Sequence, residues 1–364
     1  MDNSAFSPSS QAGTMQRRTR REKHFHEIES TLPSPRESPE PQARRCWSVS
    51  GLWSWLGKLN PFSRPATKDD IVWLLDNTAF QSAPGAPWRA EFVAAVFERD
   101  DKGRLVDVVT GVARVTGLTD DAEERRTVEE RLLKLGPTDA NGLSSNLLRV
   151  PSSVNGSLVR TEAKVGGGDG AIPHMQTYYA GPDGWGVISD VDDTIKVTLT
   201  SDPVGILRES FVNPPSPIPG MPELYAEMRS FLPEDTAWFY LSASPYNLYP
   251  FLKQFRRQFY PPGTLILRDS SWKTVAGLLS ALTLDTEEYK SDPEAYGEIY
   301  RTVPGWIKLI LIRKATDVAA VGIEEKNDPE RFERAFEDVP REAWHVFEDP
   351  RECSEIIKAA IDRW

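Results

Sequence analysis

The stretch WGVISDVDDTIKVT, residues 185–198, decides the reading of the chain. Gly186 to Ser189 is a short apolar run that ends in acid at Asp190. A second carboxylate follows at Asp192, and Asp193 and Thr194 complete a turn. The segment after the turn is polar and extended rather than immediately helical, and no GxxxxGK-type loop accompanies it to cradle a nucleotide. This apolar strand delivers carboxylates at its carboxyl end, and the strand–loop–helix alternation that follows it predicts an open parallel α/β sheet with the site at the strand ends.

Chemistry explains the pair. A phosphomonoester is anionic, so an attacking carboxylate needs a cation to relieve repulsion, and Mg²⁺ held by the oxygens of Asp190 and Asp192 supplies it. Asp190 is then the candidate nucleophile, forming an aspartyl phosphate. Asp192 is the candidate acid for the leaving oxygen and base for the hydrolytic water, and its backbone carbonyl is a natural further metal ligand. Thr194 orders the turn or binds a phosphoryl oxygen. Acid-rich turns are common, and a calcium-binding or solvent-facing turn is the competing reading.

Downstream the grammar is strand, loop, helix. Met221 to Phe231 reads as a helix, with Pro222 in its first turn and Leu224, Met228 and Phe231 on one face. Ala237 to Leu241 is a buried strand. Leu248, Phe251, Leu252, Phe255 and Phe259 form the stripe of the helix after it. Leu265 to Leu267 and Ile307 to Ile312 are further strands, the latter of the kind a parallel sheet buries on both faces. Ala343 to Phe347 precedes a closing helix from Arg351 to Ile361.

Upstream, residues 70–184 are richer in strand than in helix: Ile71 to Leu75, Glu91 to Glu98, a hairpin turn at Asp101-Lys102-Gly103 before Leu105 to Val109, and Met175 to Tyr179. One helix is predicted from about Asp121 to Leu133. No paired ionisable group emerges there, which predicts a β-rich accessory or binding domain. Residues 46–69 are Trp-rich (Trp47, Trp53, Trp55) with basic neighbours, and read either as a short amphipathic helix at a lipid interface or as aromatics docked on the following domain. Residues 1–45, rich in Ser, Pro, Arg and Glu, predict a disordered arm with Ser-Pro sites at Ser7, Ser34 and Ser38.

The 364 residues carry a net charge of −11, with 10 Lys or Arg against 6 Asp or Glu in residues 1–65, which leaves −15 on the remainder. That argues against nucleic acid as a ligand of the folded part. Two cysteines, Cys46 and Cys353, offer neither a disulfide framework nor a thiolate metal cluster, so a reducing compartment is expected. There is no apolar h-region after Met1 and no apolar run of about 18 residues. The expectation is a cytoplasmic protein, peripheral at membranes.

At this point the motifs carry a specific resemblance. The chain resembles the fungal App1 family of phosphatidate phosphatases, haloacid dehalogenase relatives linked with cortical actin patches. The marks are WLLDNTAF (73–80), GVISDVDDTIKVT (186–198), PIPGM (217–221), YLSASPYNLYPFL (240–252), PPGTLILRD (261–269) and SDPEAYGEIYRTVPGWIKLILIRK (291–314). The resemblance spans about residues 70–320. It implies a haloacid dehalogenase-like Rossmannoid sheet over 185–364, Mg²⁺ as cofactor, phosphatidate at a membrane surface as substrate, and actin-patch or endocytic partners.

It also implies that Ser242, directly after an apolar strand, is the phosphate-binding hydroxyl. A serine there can independently donate to a phosphoryl oxygen, or cap a helix. Asn247 is a weaker supporting candidate. Arg208 reads as a contact for an anionic head group or as a surface arginine. Lys290 matches the lysine that neutralises nucleophile and phosphate, and Asp292 the second acidic position of the last metal-binding motif; the bland alternative for both is a charged loop.

The family pattern breaks between Lys290 and Ser291, where a helix, a strand and a GD step are absent. That break leaves a second class open, a catalytically weak or inactive actin-patch scaffold, and a third, a phosphatase for another phosphomonoester.

Overall fold

The computed structural model describes residues 70–97, 133–136, 138, 142–164, 171–199, 214–268, 292–314 and 327–363. The predicted arm, the Trp-rich segment, the 101–109 hairpin and nearly all of the helix expected at 121–133 lie outside them. The described residues fall in one compact unit.

Strands β1 (Ile71–Leu74) and β2 (Asn77–Phe80) run along β3 (Arg89–Phe97), interrupted only at Leu75 and Asp76. With β4 (Leu143–Arg149), β5 (Leu158–Glu162) and β6 (His174–Tyr179) they make a six-stranded, mostly antiparallel sheet. Its β2–β6 pair is parallel. Side chains alternate across a strand, so β3 feeds two cores. Phe92 and Ala94 pack with Trp88, Met175 and Tyr179, whereas Ala95 and Phe97 join Trp73 and Leu143 in a core shared with the carboxyl-terminal half.

An all-parallel sheet begins with β7 (Gly186–Asp190), which lies beside β8 (Ala237–Pro245), itself beside β9 (Thr264–Arg268). Helices α1 (Met221–Phe231) and α2 (Tyr249–Phe259) connect them, each opening with Pro in its first turn. Their apolar stripes, Leu224, Tyr225 and Met228 on α1 with Leu252 and Phe255 on α2, bury Trp238, Tyr240 and Leu265 of the sheet.

Helix α3 (Asp292–Thr302) leads to β10 (Ile310–Arg313), and α4 (Pro329–Ala335) to β11 (Trp344–Phe347), which pairs parallel with β10. Helix α5 (Cys353–Asp362) closes the chain against α1. The chain is thus a mixed α/β protein with parallel sheets. Where the pattern predicts one open sheet, the described strands form two, β7–β8–β9 and β10–β11. The two are joined by Leu311 and Phe347, which pack into the core of the first, and by Arg313 at the end of β10.

Candidate active site

The acidic turn sits where β7 ends. Val191 donates its amide to Leu241 O at 2.9 Å, carrying the strand one residue past Asp190. The chain then reverses: the amides of Ile195 and Lys196 both bond Val191 O, and Asp193 N bonds Lys196 O. Asp193 adopts φ 57, a left-handed conformation that aspartate tolerates better than most residues. Its carboxylate accepts from the amides of Thr198 at 2.8 Å and Leu199 at 2.9 Å, a structural use that keeps it off the chemistry.

Two carboxylates remain at the strand end, each oriented by hydroxyls. Thr194 Oγ1 donates to Asp190 Oδ2 at 2.7 Å, fixing the carboxylate rotamer. Thr198 Oγ1 donates to Asp192 Oδ1 at 2.9 Å, and Ser242 Oγ, from the neighbouring strand, donates to Asp192 Oδ2 at 2.6 Å. Ser242 Oγ in turn accepts from Ser244 N at 3.0 Å, which sets its position. Of the residues expected from sequence, Asp190, Asp192, Thr194 and Ser242 come together here. Asp292 opens α3, while Lys290 and Arg208 lie outside the described residues. Asn247 is buried in the single turn before α2, and its Oδ1 has no hydrogen-bond partner among the described residues.

Three supports were not legible in the sequence. Lys196 is 1% exposed; its Nζ donates to Val197 O at 3.1 Å and Thr198 Oγ1 at 3.2 Å and lies 5.3 Å from the Phe251 ring centroid. A hydroxyl that accepts from an ammonium is a better donor, so Lys196 strengthens the Thr198–Asp192 bond. Arg313, at the end of β10, donates Nη1 to Asp193 O at 3.0 Å and ties the second parallel sheet to the turn. Half-burial draws its pKa down, opposed by the nearby Asp193 charge. Behind the strand, Tyr225 OH donates to Ser189 Oγ at 2.6 Å, and burial raises that phenol's pKa, keeping it neutral. The IKVT tail of the motif was the available signal for Lys196 and Thr198. Arg313 carried none, being 120 residues from its partner.

The donor set of Asp190 and Asp192 is oxygen only, which suits a hard divalent cation that keeps several waters and takes one or two protein carboxylates. No cluster of three His, Cys, Asp or Glu residues with metal-binding spacing occurs among the described residues.

Fold and site together define an α/β protein with an acidic strand-end site, its carboxylates ordered by hydroxyls of their own turn and of the adjacent strand. Residues 185–291 match the family model described as phosphatidate phosphatase APP1, catalytic domain. The chain is App1-like over that segment, as its motifs imply. Phosphatidate phosphatase APP1 of Saccharomyces cerevisiae (strain ATCC 204508 / S288c) is 36% identical over 107 residues, which make up 28% of this chain and 18% of that protein. The chain thus spans less than a fifth of that relative's length. No solved structure matches the chain.

Proposed function

We infer that the chain is a phosphomonoester hydrolase of the phosphatidate phosphatase type, built on a haloacid dehalogenase-like core. The observation that carries this reading is the ordering of Asp190 and Asp192 by Thr194, Thr198 and Ser242 at the end of β7, inside the segment that matches the APP1 catalytic domain.

In this reading an oxygen of Asp190 forms a bond to phosphorus as the phosphorus–oxygen ester bond breaks, and protonated Asp192 gives its proton to the departing alkoxide. Asp192, now ionised, takes a proton from water as that water attacks the aspartyl phosphate, which frees inorganic phosphate and restores Asp190. Ser242 has one hydroxyl proton, now committed to Asp192 Oδ2. On phosphate binding it transfers that hydrogen bond to a phosphoryl oxygen, which releases Asp192 for proton transfer. Asp190 through its carboxylate and Asp192 through its backbone carbonyl would hold Mg²⁺, which would neutralise charge between nucleophile and substrate and leave the Asp192 carboxyl free for proton transfer. Lys290 and Asp292 belong to the proposal as family-implied supports for phosphate and metal, and Arg208 as a contact for the head group.

Phosphatidate as the substrate, and a peripheral place at membranes or cortical actin patches with endocytic partners, follow from the family likeness. No helix among the described residues is long and apolar enough to cross a membrane. A weak or inactive scaffold is the second reading, favoured by the end of the family match at residue 291.

The deciding experiment is Mg²⁺-dependent phosphate release from phosphatidate in mixed micelles. The parent chain should turn over and Asp190→Asn should lose more than about a thousandfold, as nucleophile removal does. Parent activity no higher than that of Asp190→Asn would leave the scaffold.

A further inference from the structure

The β7–β8–β9 sheet has two unlike faces. Val187, Ser189, Trp238, Tyr240 and Leu265 point to α1, α2 and α5, so by alternation Ile188, Asp190, Phe239, Leu241, Thr264 and Ile266 share the other face. The antiparallel sheet covers part of that second face. Thr78 Oγ1 meets Thr264 Oγ1 at 2.7 Å, and Phe239 packs with Tyr178, Ala180 and Ala237. Beyond that cover no described residue closes the face: Ile188 is 59% and Ile266 45% exposed, with Leu241 half-buried between their strands.

The register places this apolar strip against the candidate nucleophile. Asp190, Leu241 and Ile266 form one row across the three strands, at spacings of about 4.8 Å, and Ile188 lies two residues back from Asp190, about 6.6 Å. Polarity therefore changes from acid to hydrocarbon within one strand spacing. A protein partner or a second copy laid on the strip would bury Asp190 with it. An occupant that uses both parts must itself change from anion to hydrocarbon over the same distance. Trp306, 81% exposed, follows α3 and stands outside this row.

We propose that Leu241, Ile266 and Ile188 seat the hydrocarbon portion of an amphiphilic phosphomonoester whose head group lies at Asp190, Asp192 and Ser242. The proposal rests on the phosphatase reading above, and names the side chains by which that site distinguishes a lipid phosphate from a soluble one.

The test compares the full chain with Ile188→Ser, Ile266→Ser and the double variant on phosphatidate and on p-nitrophenyl phosphate, with Trp306→Ser as a control. Because two positions are solvent-facing, the variants fold, which circular dichroism checks. The ratio of kcat/KM for phosphatidate to that for p-nitrophenyl phosphate should fall about 5- to 10-fold per variant, the size expected for lost apolar contact, and stay level in Trp306→Ser. A ratio that does not move in the isoleucine variants, or falls equally in the control, overturns the seat.

If the parent hydrolyses neither compound, the phosphatase reading has failed and calorimetry decides the seat separately. Dodecyl phosphate, below its micelle concentration, binding more tightly than glycerol phosphate and weakened by the double variant supports it. Equal affinities for the two phosphates overturn it.

Discussion

Asp192 is held by two hydroxyls of different origin, one from its own turn and one from the next strand, and their roles separate by mutation. Thr198→Val removes the link between Lys196 and Asp192 and should lower kcat about 10- to 100-fold, with little change in KM, in the range of an impaired general acid. Thr198→Ser should restore most of that rate. The spacing of Asp190 and Asp192 at an apolar strand's end was enough to single them out from sequence. Thr198 was hidden because its contact exists only once Asp193 turns the backbone left-handed and folds residue 198 back on residue 192. Cys353, free and buried, has its thiol pushed up to about 12, chiefly by burial and then by Glu352 and Asp349. A raised thiol pKa means less thiolate at pH 8, on the order of a thousandfold less than for an ordinary cysteine. Peptide-level mass spectrometry should show Cys353 unalkylated by iodoacetamide at pH 8 in the native protein and alkylated in urea.

At the scale of elements, α1 and α2 were readable because period and punctuation agreed: an apolar stripe, Pro in the first turn, and an apolar strand on either side. Helix α3 was not readable as a helix, since Gly297 interrupts it. Gly297 is there for contact. A Cβ on it would lie 2.1 Å from Ala335 O of α4, so the two helices approach at a distance that a side chain would forbid. Gly297→Ala should therefore cost about 1–3 kcal/mol of stability, typical of overpacking, despite alanine's better helix propensity. A urea midpoint equal to the parent's would show that the helices separate freely. Strand β2 was likewise missed, because NTAF offers four residues and no apolar alternation, and it becomes a strand by pairing with β3 and β6.

The molecule as a whole is joined by Asp76, which interrupts the β1–β2 strand. Its Oδ1 accepts from Lys253 Nζ at 2.9 Å and Gln176 N at 2.8 Å, its Oδ2 from Arg256 Nη2 at 2.9 Å, and its amide donates to Tyr249 OH at 2.7 Å. All three charged groups are buried, and burial lowers the Lys253 pKa against the pull of Asp76. Asp76→Ala strands two buried cations and should lower stability by about 3–5 kcal/mol in urea unfolding. A fragment of residues 185–364 should lack a cooperative transition, because Trp73, Phe97 and Leu143 supply part of the core around α2. Cooperative unfolding of that fragment would count against a shared core. Composition, periodicity and the DVDDT spacing, by themselves, determined the α/β class, most strands and helices, and the acidic strand end, since these follow from local pattern and from chemistry within a few residues. Only the tertiary structure decided that the amino-terminal sheet shares the core, that Arg313 reaches the turn, and that Ile188 and Ile266 stay exposed on the Asp190 face of the β7–β8–β9 sheet. Each of these depends on which surfaces meet across a hundred or more residues, and no local period encodes that.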